Sequence, residues 1–365
     1  MRNFVLTLSF CFLALLAVAQ PGSGFNPQRT WVFMVGVLEW ADANSFPSFE
    51  KKGRVDAKIK AFFEKQGVPS QQMVYLKDGQ ATTQAVREAF VSFLKKAGKD
   101  DVLFFYYCGH GYKNDAGKVC FANHKGADWT AEEIVRSVNT HFAGKTAYLT
   151  ADCCNSGGLA EEAQKYPAKN YAALTSVVPT NVSTGNWTFS NALLYGLQGQ
   201  NFVDTDGNGR ITVGELAAYI DEEMAIAEGQ KATYFVPKTM QDQAIATGVP
   251  AKKNARIGQR VWADYDGTPW LGFIIGAEKN GSFTVRFYSY TNNETDNVEA
   301  ARLKPYTCPK NMAVGSPVSV CSATDKKWYP AKVIKKFSCL HFIQYDDYGS
   351  EWNEWVAPDN IKVRR

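Results

Sequence analysis

The chain has 365 residues, of which 45% are hydrophobic and 13% aromatic, and a net charge of +4. That length suits two or three domains, and that composition fills real cores, so a disordered chain is excluded. So mild a charge also excludes nucleic acid or an acidic membrane surface as a partner drawn in by bulk charge.

The first element is a targeting segment. Arg2 precedes an apolar run from Phe4 to Val18, and Ala17-Val18-Ala19 precedes Gln20 and Pro21. A basic start, a short apolar stretch and an A-x-A site predict a secretory signal peptide over residues 1–19, cut after Ala19. The run is too short to span a bilayer comfortably, and no later segment is long enough. The expected protein is therefore secreted or periplasmic, without a membrane span. Cleavage removes Cys11 and leaves Cys108, Cys120, Cys153, Cys154, Cys308, Cys321 and Cys339. An odd number leaves at least one thiol unpaired. Cys308, Cys321 and Cys339 are able to supply one bridge, whose pairing the sequence does not choose.

Trp31 to Val37 is an apolar run suited to a strand buried on both faces. Val55, Ile59, Phe62 and Phe63 form the stripe of an amphipathic helix that ends near Gly67. Met73 to Leu76 is a short strand. Thr82 or Thr83 caps the next helix, with the stripe Val86, Phe90, Phe93 and Leu94. Val102 to Tyr107 is a second buried strand, running into Cys108-Gly109-His110-Gly111. Thr130-Ala131-Glu132-Glu133 is a capping box that opens a helix carrying Ile134, Val135 and Val138. Thr146 begins a third buried strand, which ends at Asp152-Cys153-Cys154-Asn155-Ser156-Gly157. Strands alternating with helices predict a doubly wound, mostly parallel α/β sheet with right-handed crossovers.

The chemistry gathers at two of these strand ends, where open α/β sheets place their sites. Adjacent cysteines meet disulfide geometry poorly, so at least one of Cys153 and Cys154 is a free thiol. Of the four histidines, His110 sits at the end of one buried strand as Cys154 sits at the end of the next. If the strands are neighbours, both side chains emerge on one sheet edge, as a Cys-His pair for covalent acyl transfer requires.

Tyr106-Tyr107-Cys108-Gly109-His110-Gly111 resembles the histidine motif of caspases and metacaspases. Asp152-Cys153-Cys154-Asn155-Ser156-Gly157 resembles the D-x-C-x-S-G cysteine motif of metacaspases and related bacterial caspase-like proteins. The likeness covers roughly Trp31 to Gly248, within a domain expected over residues 28–250. It implies a cysteine endopeptidase acting on a protein or peptide substrate, with His110 as general base and acid and Cys154 as nucleophile. It implies backbone N–H groups of Gly111 and Cys154 as the oxyanion hole, and Asp152 as the reader of Arg or Lys at P1. Asn155 stands where metacaspases usually carry His. Asn186 and Trp187, in a stretch resembling the loop after the catalytic turn, are further substrate-binding candidates. The rival expectation is a calcium-stabilised binding protein that keeps the fold without turnover.

Residues 204–215 fill the ligand positions of a twelve-residue EF-hand loop. Asp204, Asp206 and Asn208 hold positions 1, 3 and 5, Gly209 makes the turn, Arg210 offers its carbonyl, and Thr212 and Glu215 follow at 9 and 12. Helical patterns flank the loop, and a structural Ca2+ is the expected cofactor.

After Pro250 the pattern becomes short strands with Asp-Gly and Asn-Gly turns, in two copies expected at residues 256–307 and 312–365. They resemble Tudor or chromo-barrel modules. The resemblance implies an aromatic cage: Tyr265, Phe287, Tyr290 and Asn292 in copy one, and Tyr329, Tyr345 and Tyr348 in copy two. Neither set is complete, since copy one carries Leu271 where an aromatic is expected and copy two has no aromatic at the first position. Docking of a protein ligand is the broader expectation.

Overall fold

The computed structural model describes residues 26–364 apart from 180–182, 184, 249–255, 266, 289–294 and 323–324. The expected signal peptide, Tyr290 and Asn292 lie outside these residues.

The first half alternates strand and helix, as the periodicity requires. β1 (Thr30–Gly36) leads to α1 (Val55–Lys65), β2 (Met73–Lys77), α2 (Thr83–Leu94) and β3 (Val102–Cys108). A small hairpin of β4 (Gly111–Lys113) and β5 (Val119–Phe121) precedes α3 (Ala131–His141), β6 (Thr146–Asp152), α4 (Gly158–Ala163) and β7 (Asn170–Thr175). Then come α5 (Thr188–Leu197), β8 (Arg210–Thr212), α6 (Val213–Ala227), β9 (Thr233–Phe235), α7 (Lys238–Gln241) and β10 (Ala244–Thr247). The main sheet has the order β2-β1-β3-β6-β7-β9, and only β9 runs antiparallel to its neighbour. Every residue of β1 is buried, and so are six of seven in both β3 and β6, because helices cover both faces. One apolar layer joins α1, α5 and α6 to the sheet, and the other joins α2 and α3. Thr82, rather than Thr83, caps α2 by accepting from Ala85 N. No helix among the described residues is long and apolar enough to cross a membrane.

The C-terminal third forms two five-stranded antiparallel sheets. The first contains β11 (Arg260–Tyr265), β12 (Thr268–Ala277), β13 (Phe283–Phe287), β14 (Thr295–Val298) and β15 (Leu303–Pro305). The second contains β16 (Pro317–Cys321), β17 (Trp328–Phe337), β18 (Leu340–Tyr345), β19 (Glu354–Val356) and β20 (Ile361–Val363). Each is a four-stranded meander whose fifth strand returns to pair with its first, β15 on β11 and β20 on β16, in the manner of a small barrel. The last two strands of each copy, three or four residues long, are too short for their pattern to show in the sequence. The bridge is Cys308–Cys339, tying the inter-barrel linker to the β17–β18 turn, and Cys321 is free.

The first barrel is seated on the α/β half. Phe273 and Tyr288 lie in the same apolar layer as α6, and the Phe273 ring meets Phe202 edge-on at 4.9 Å. At the centre of the contact is Glu223 of α6, fully buried. Its carboxylate accepts from Arg260 at 2.7 Å, Arg286 at 3.1 Å and Tyr288 OH at 3.0 Å, all three from the barrel. The cage expected in this copy is corrected at Phe287. That ring is 7% exposed and fills the barrel core, as a barrel this small requires of its aromatics.

Candidate active site

Two strand ends build the site. β3 and β6 are parallel neighbours in a register that pairs Cys108 with Asp152, so the motifs that follow them leave the sheet at one level. Gly109 N donates to Asp152 O at 3.3 Å, closing the two turns together. A Cβ on Gly111 would stand 1.9 Å from Cys154 O. The residue after His110 therefore lies against the backbone of Cys154, and only glycine fits there.

His110 is held in an aromatic box. Its ring centroid is 4.4 Å from those of Trp40 and Phe49, and 5.5 Å from that of Phe46. Its Nε2 lies 2.8 Å from Pro47 O. A carbonyl only accepts, so Nε2 carries the proton and Nδ1 keeps the free lone pair. Burial among the rings pushes the His110 pKa below its ordinary value, against the opposing pull of the Pro47 carbonyl. Tyr107 OH and Ala122 N both donate to His110 O, which fixes the turn.

Cys154 is half-buried and free, and its neighbour Cys153 is buried. Ser183 N donates to Cys154 Sγ at 3.3 Å. Burial raises the thiol pKa, opposed by the backbone N–H groups of Ser183, Gly111 and Cys154 itself. Cys154 and His110 thus rest as neutral thiol and neutral imidazole, without a hydrogen bond between them among the described contacts. Asn155 takes a left-handed backbone, φ 57°, and its amide donates to Pro179 O at 2.8 Å. Asn, Asp and His tolerate that region best, a physical reason for Asn155 where metacaspases usually carry His.

Asp152, 9% exposed, lies in the cleft beside Cys154. The cleft holds about 250 Å³, and its lining includes Phe49, Glu50, Ser183, Asn186 and Trp187. Ser190 Oγ donates to Asp152 Oδ2 at 2.5 Å, and Tyr106 OH lies 2.6 Å from Ser190 Oγ. Burial drives the Asp152 pKa up to about 7, against the Ser190 hydrogen bond and with added repulsion from Glu228. Asn186 Nδ2 donates to Glu228 at 3.0 Å, and Thr188 Oγ1 donates to the same carboxylate. The sequence reading missed Pro47, Ser190 and Glu228. Ser190 left little trace, since it lies among other polar residues, Thr188 and Asn191, at the start of α5.

The acidic loop lies between α5 and α6. Ligand-type oxygens of Asp204, Asp206 and Glu215 all fall within 4.8 Å of one another. Asn208 donates to Asp206 at 2.8 Å, and Arg210 N donates to Asn208 Oδ1 at 2.8 Å. Thr212 and Glu215 form a reciprocal capping box on α6. β8 inside the loop pairs with β10, which joins the loop to the α/β half. Oxygens that share one calcium lie at most about 5 Å apart, so this donor set fits the ion.

The caspase domain profile matches residues 45–254, more than half of the chain. The chain belongs to the caspase-domain family. A crystallised protein of Geobacter sulfurreducens is 13% identical, with 60% of this chain and 100% of that one covered and a TM-score of 0.46. Caspase-1 of Spodoptera frugiperda is 13% identical, with 62% of this chain and 92% of that one covered and a TM-score of 0.42. No curated protein matches the chain.

Proposed function

We propose that the chain is a cysteine endopeptidase that uses a Cys154–His110 dyad and cuts protein substrates after Arg or Lys. The observation that carries the basic-P1 reading is the cleft lining. It holds the carboxylates of Asp152 and Glu50 and no cationic side chain among the described lining residues. A buried carboxylate at the bottom of a cleft is costly unless a cation joins it, and a P1 Arg or Lys supplies one.

The steps follow from the neutral dyad. His110 Nδ1 takes the thiol proton as Cys154 Sγ attacks the scissile carbonyl carbon. The carbonyl oxygen gains the electron pair and is held by the N–H groups of Gly111 and Cys154, a reading supported by their pull on the thiol pKa. The imidazolium, oriented by Pro47 O, gives its proton to the leaving amine, and water then hydrolyses the thioester. Asp204, Asp206, Asn208, Arg210, Thr212 and Glu215 would hold a calcium ion, which would brace the domain. Export is supported by the N-terminal pattern and by the Cys308–Cys339 bridge, which persists in an oxidising compartment. Fluorogenic peptides ending in Arg, Lys or Asp test the specificity. Turnover of the Arg and Lys peptides is expected; preferential turnover of the Asp peptide would overturn it.

A further inference from the structure

One carboxylate beside the cleft belongs neither to the dyad nor to the acidic loop. Glu228 follows the last residue of α6, and its N–H and that of Gln230 both donate to Met224 O at 3.1 Å. Its side chain crosses to the start of α5, where it accepts from Thr188 Oγ1 and from Asn186 Nδ2. The first turn of α5 needs such a partner. Trp187, at the N-cap position, makes no side-chain hydrogen bond to the helix, and the unpaired N–H groups of a helix start favour a negative charge. That turn carries part of the site. Asn186 and Trp187 line the cleft, and Ser190, two residues beyond Thr188, donates to Asp152. Glu228 therefore fixes the segment that supplies one wall of the cleft and the hydroxyl bonded to its buried carboxylate.

The turn that carries Glu228 is held from its other side by the second barrel. Gly229 takes a left-handed backbone, φ 64°, and lies so near Ala357, just after β19, that an added Cβ would stand 2.8 Å from the Ala357 methyl carbon. Lys231 Nζ pairs with Asp221 of α6, which is 2% exposed, and sits 4.3 Å from the centroid of the Phe337 ring at the end of β17. Asp221 also accepts from Ala232 N. Residues 229–232 are thus pinned to α6 and to the barrel together. Trp355 of β19 packs edge-on against Phe337 at 6.5 Å, and Cys308–Cys339 ties the chain entering the barrel to the turn that follows Phe337. Tyr348 packs on Tyr329, at the opposite end of β17 from this contact.

We propose that Glu228 is a positioning residue of the cleft and that the second barrel, seated on residues 229–232, holds it against the first turn of α5. The barrel is then a structural part of the peptidase site. The proposal rests on the peptidase reading for the identity of its ligand. A barrel that served only to dock a separate partner would leave the cleft indifferent to the contact between Lys231 and Phe337.

Two measurements on the full chain carrying Cys154→Ala test this: anisotropy of a short fluorescent arginyl peptide, and hydrogen exchange of the amides of residues 187–191. Glu228→Ala takes a charged acceptor from two donors and should weaken the peptide about tenfold. Phe337→Ala, at a residue that does not line the cleft, should weaken it by a similar factor and speed exchange at the start of α5. The double variant should lose about tenfold and not about a hundredfold, because both changes act through one carboxylate. Phe337→Tyr, which keeps a ring beside Lys231, should bind as the parent does, and so should Tyr348→Ala. Phe337→Ala with the affinity and exchange of the parent overturns the proposal. Losses that multiply in the double variant also overturn it, since the barrel and Glu228 would then act separately. If the parent binds no arginyl peptide, the cleft reading fails by itself, and exchange decides the rest. Faster exchange of residues 187–191 in both Phe337→Ala and Glu228→Ala supports the hold of the barrel on α5, and unchanged exchange in Phe337→Ala overturns it.

Discussion

Replacing Asp152 by asparagine should stabilise the protein at alkaline pH while it disables cleavage after Arg. In the folded chain the Asp152 carboxyl titrates near 7, against an ordinary value of 3.8, chiefly because it is buried. A folded pKa raised above the unfolded one means that the stability tied to the proton is fully present below about pH 4. It is lost as pH rises through 7. At about 1.4 kcal/mol per pKa unit, the ionised carboxylate costs the folded protein about 4 kcal/mol at pH 8. An asparagine amide in its place would accept the Ser190 hydrogen bond without that charge. Melts of both proteins at pH 4 and pH 8 check this. The variant should gain about 4 kcal/mol relative to the parent between the two, or about 10 °C in Tm for a domain of this size. The same variant should lose at least a hundredfold in kcat/KM toward arginyl peptides. Binding of an arginyl inhibitor to the parent near pH 7 should release protons, since a cation beside Asp152 favours its charged form. Parent and variant melting in parallel from pH 4 to pH 8 would refute the reasoning.

Other substitutions probe the supports of the site. Glu223→Gln leaves Arg286, 2% exposed, without its carboxylate. A loss of about 3–5 kcal/mol in denaturant unfolding is expected, as for other buried pairs broken on one side. Gly111→Ala drives a methyl into Cys154 O and displaces the nucleophile. Peptidase activity should fall about a hundredfold or more, with far-ultraviolet circular dichroism unchanged. Saturating Ca2+ added to chelator-stripped protein should raise Tm by an amount that corresponds to about 2.7 kcal/mol at a hundred times Kd. Asp206→Asn should abolish that increment without changing Tm in chelator, since Asp206 is exposed and outside the α6 cap.

The parallel half was legible because each signal is local. The apolar runs of β1, β3 and β6, the N-cap at Thr130 and the stripe of α2 all lie within a few residues of the structure they specify, although Glu133 pairs with Arg87 instead of closing the expected capping box. The motif ends of β3 and β6 were legible for the same reason. What the sequence concealed depends on distant partners. Pro47 lies 63 residues from the imidazole that it orients, and Ser190 lies 38 residues from Asp152. Glu223 carries no local signal, and only the barrel, which supplies arginines 37 and 63 residues downstream, makes it a buried hub. Trp352 belongs to a short turn with no periodicity, so only the folded barrel brings it beside Tyr348.

The central claim is that Cys154 is a nucleophile activated by His110 in a cleft that receives a basic residue. Intact-mass analysis after exposure to an arginyl peptide electrophile, with reductant and calcium present, tests it most directly. The account predicts one adduct, mapped to Cys154, absent from Cys154→Ala and formed far more slowly in His110→Ala. A parent protein that takes no label, or takes it equally after loss of Cys154, would contradict it and leave the binding-protein reading in its place.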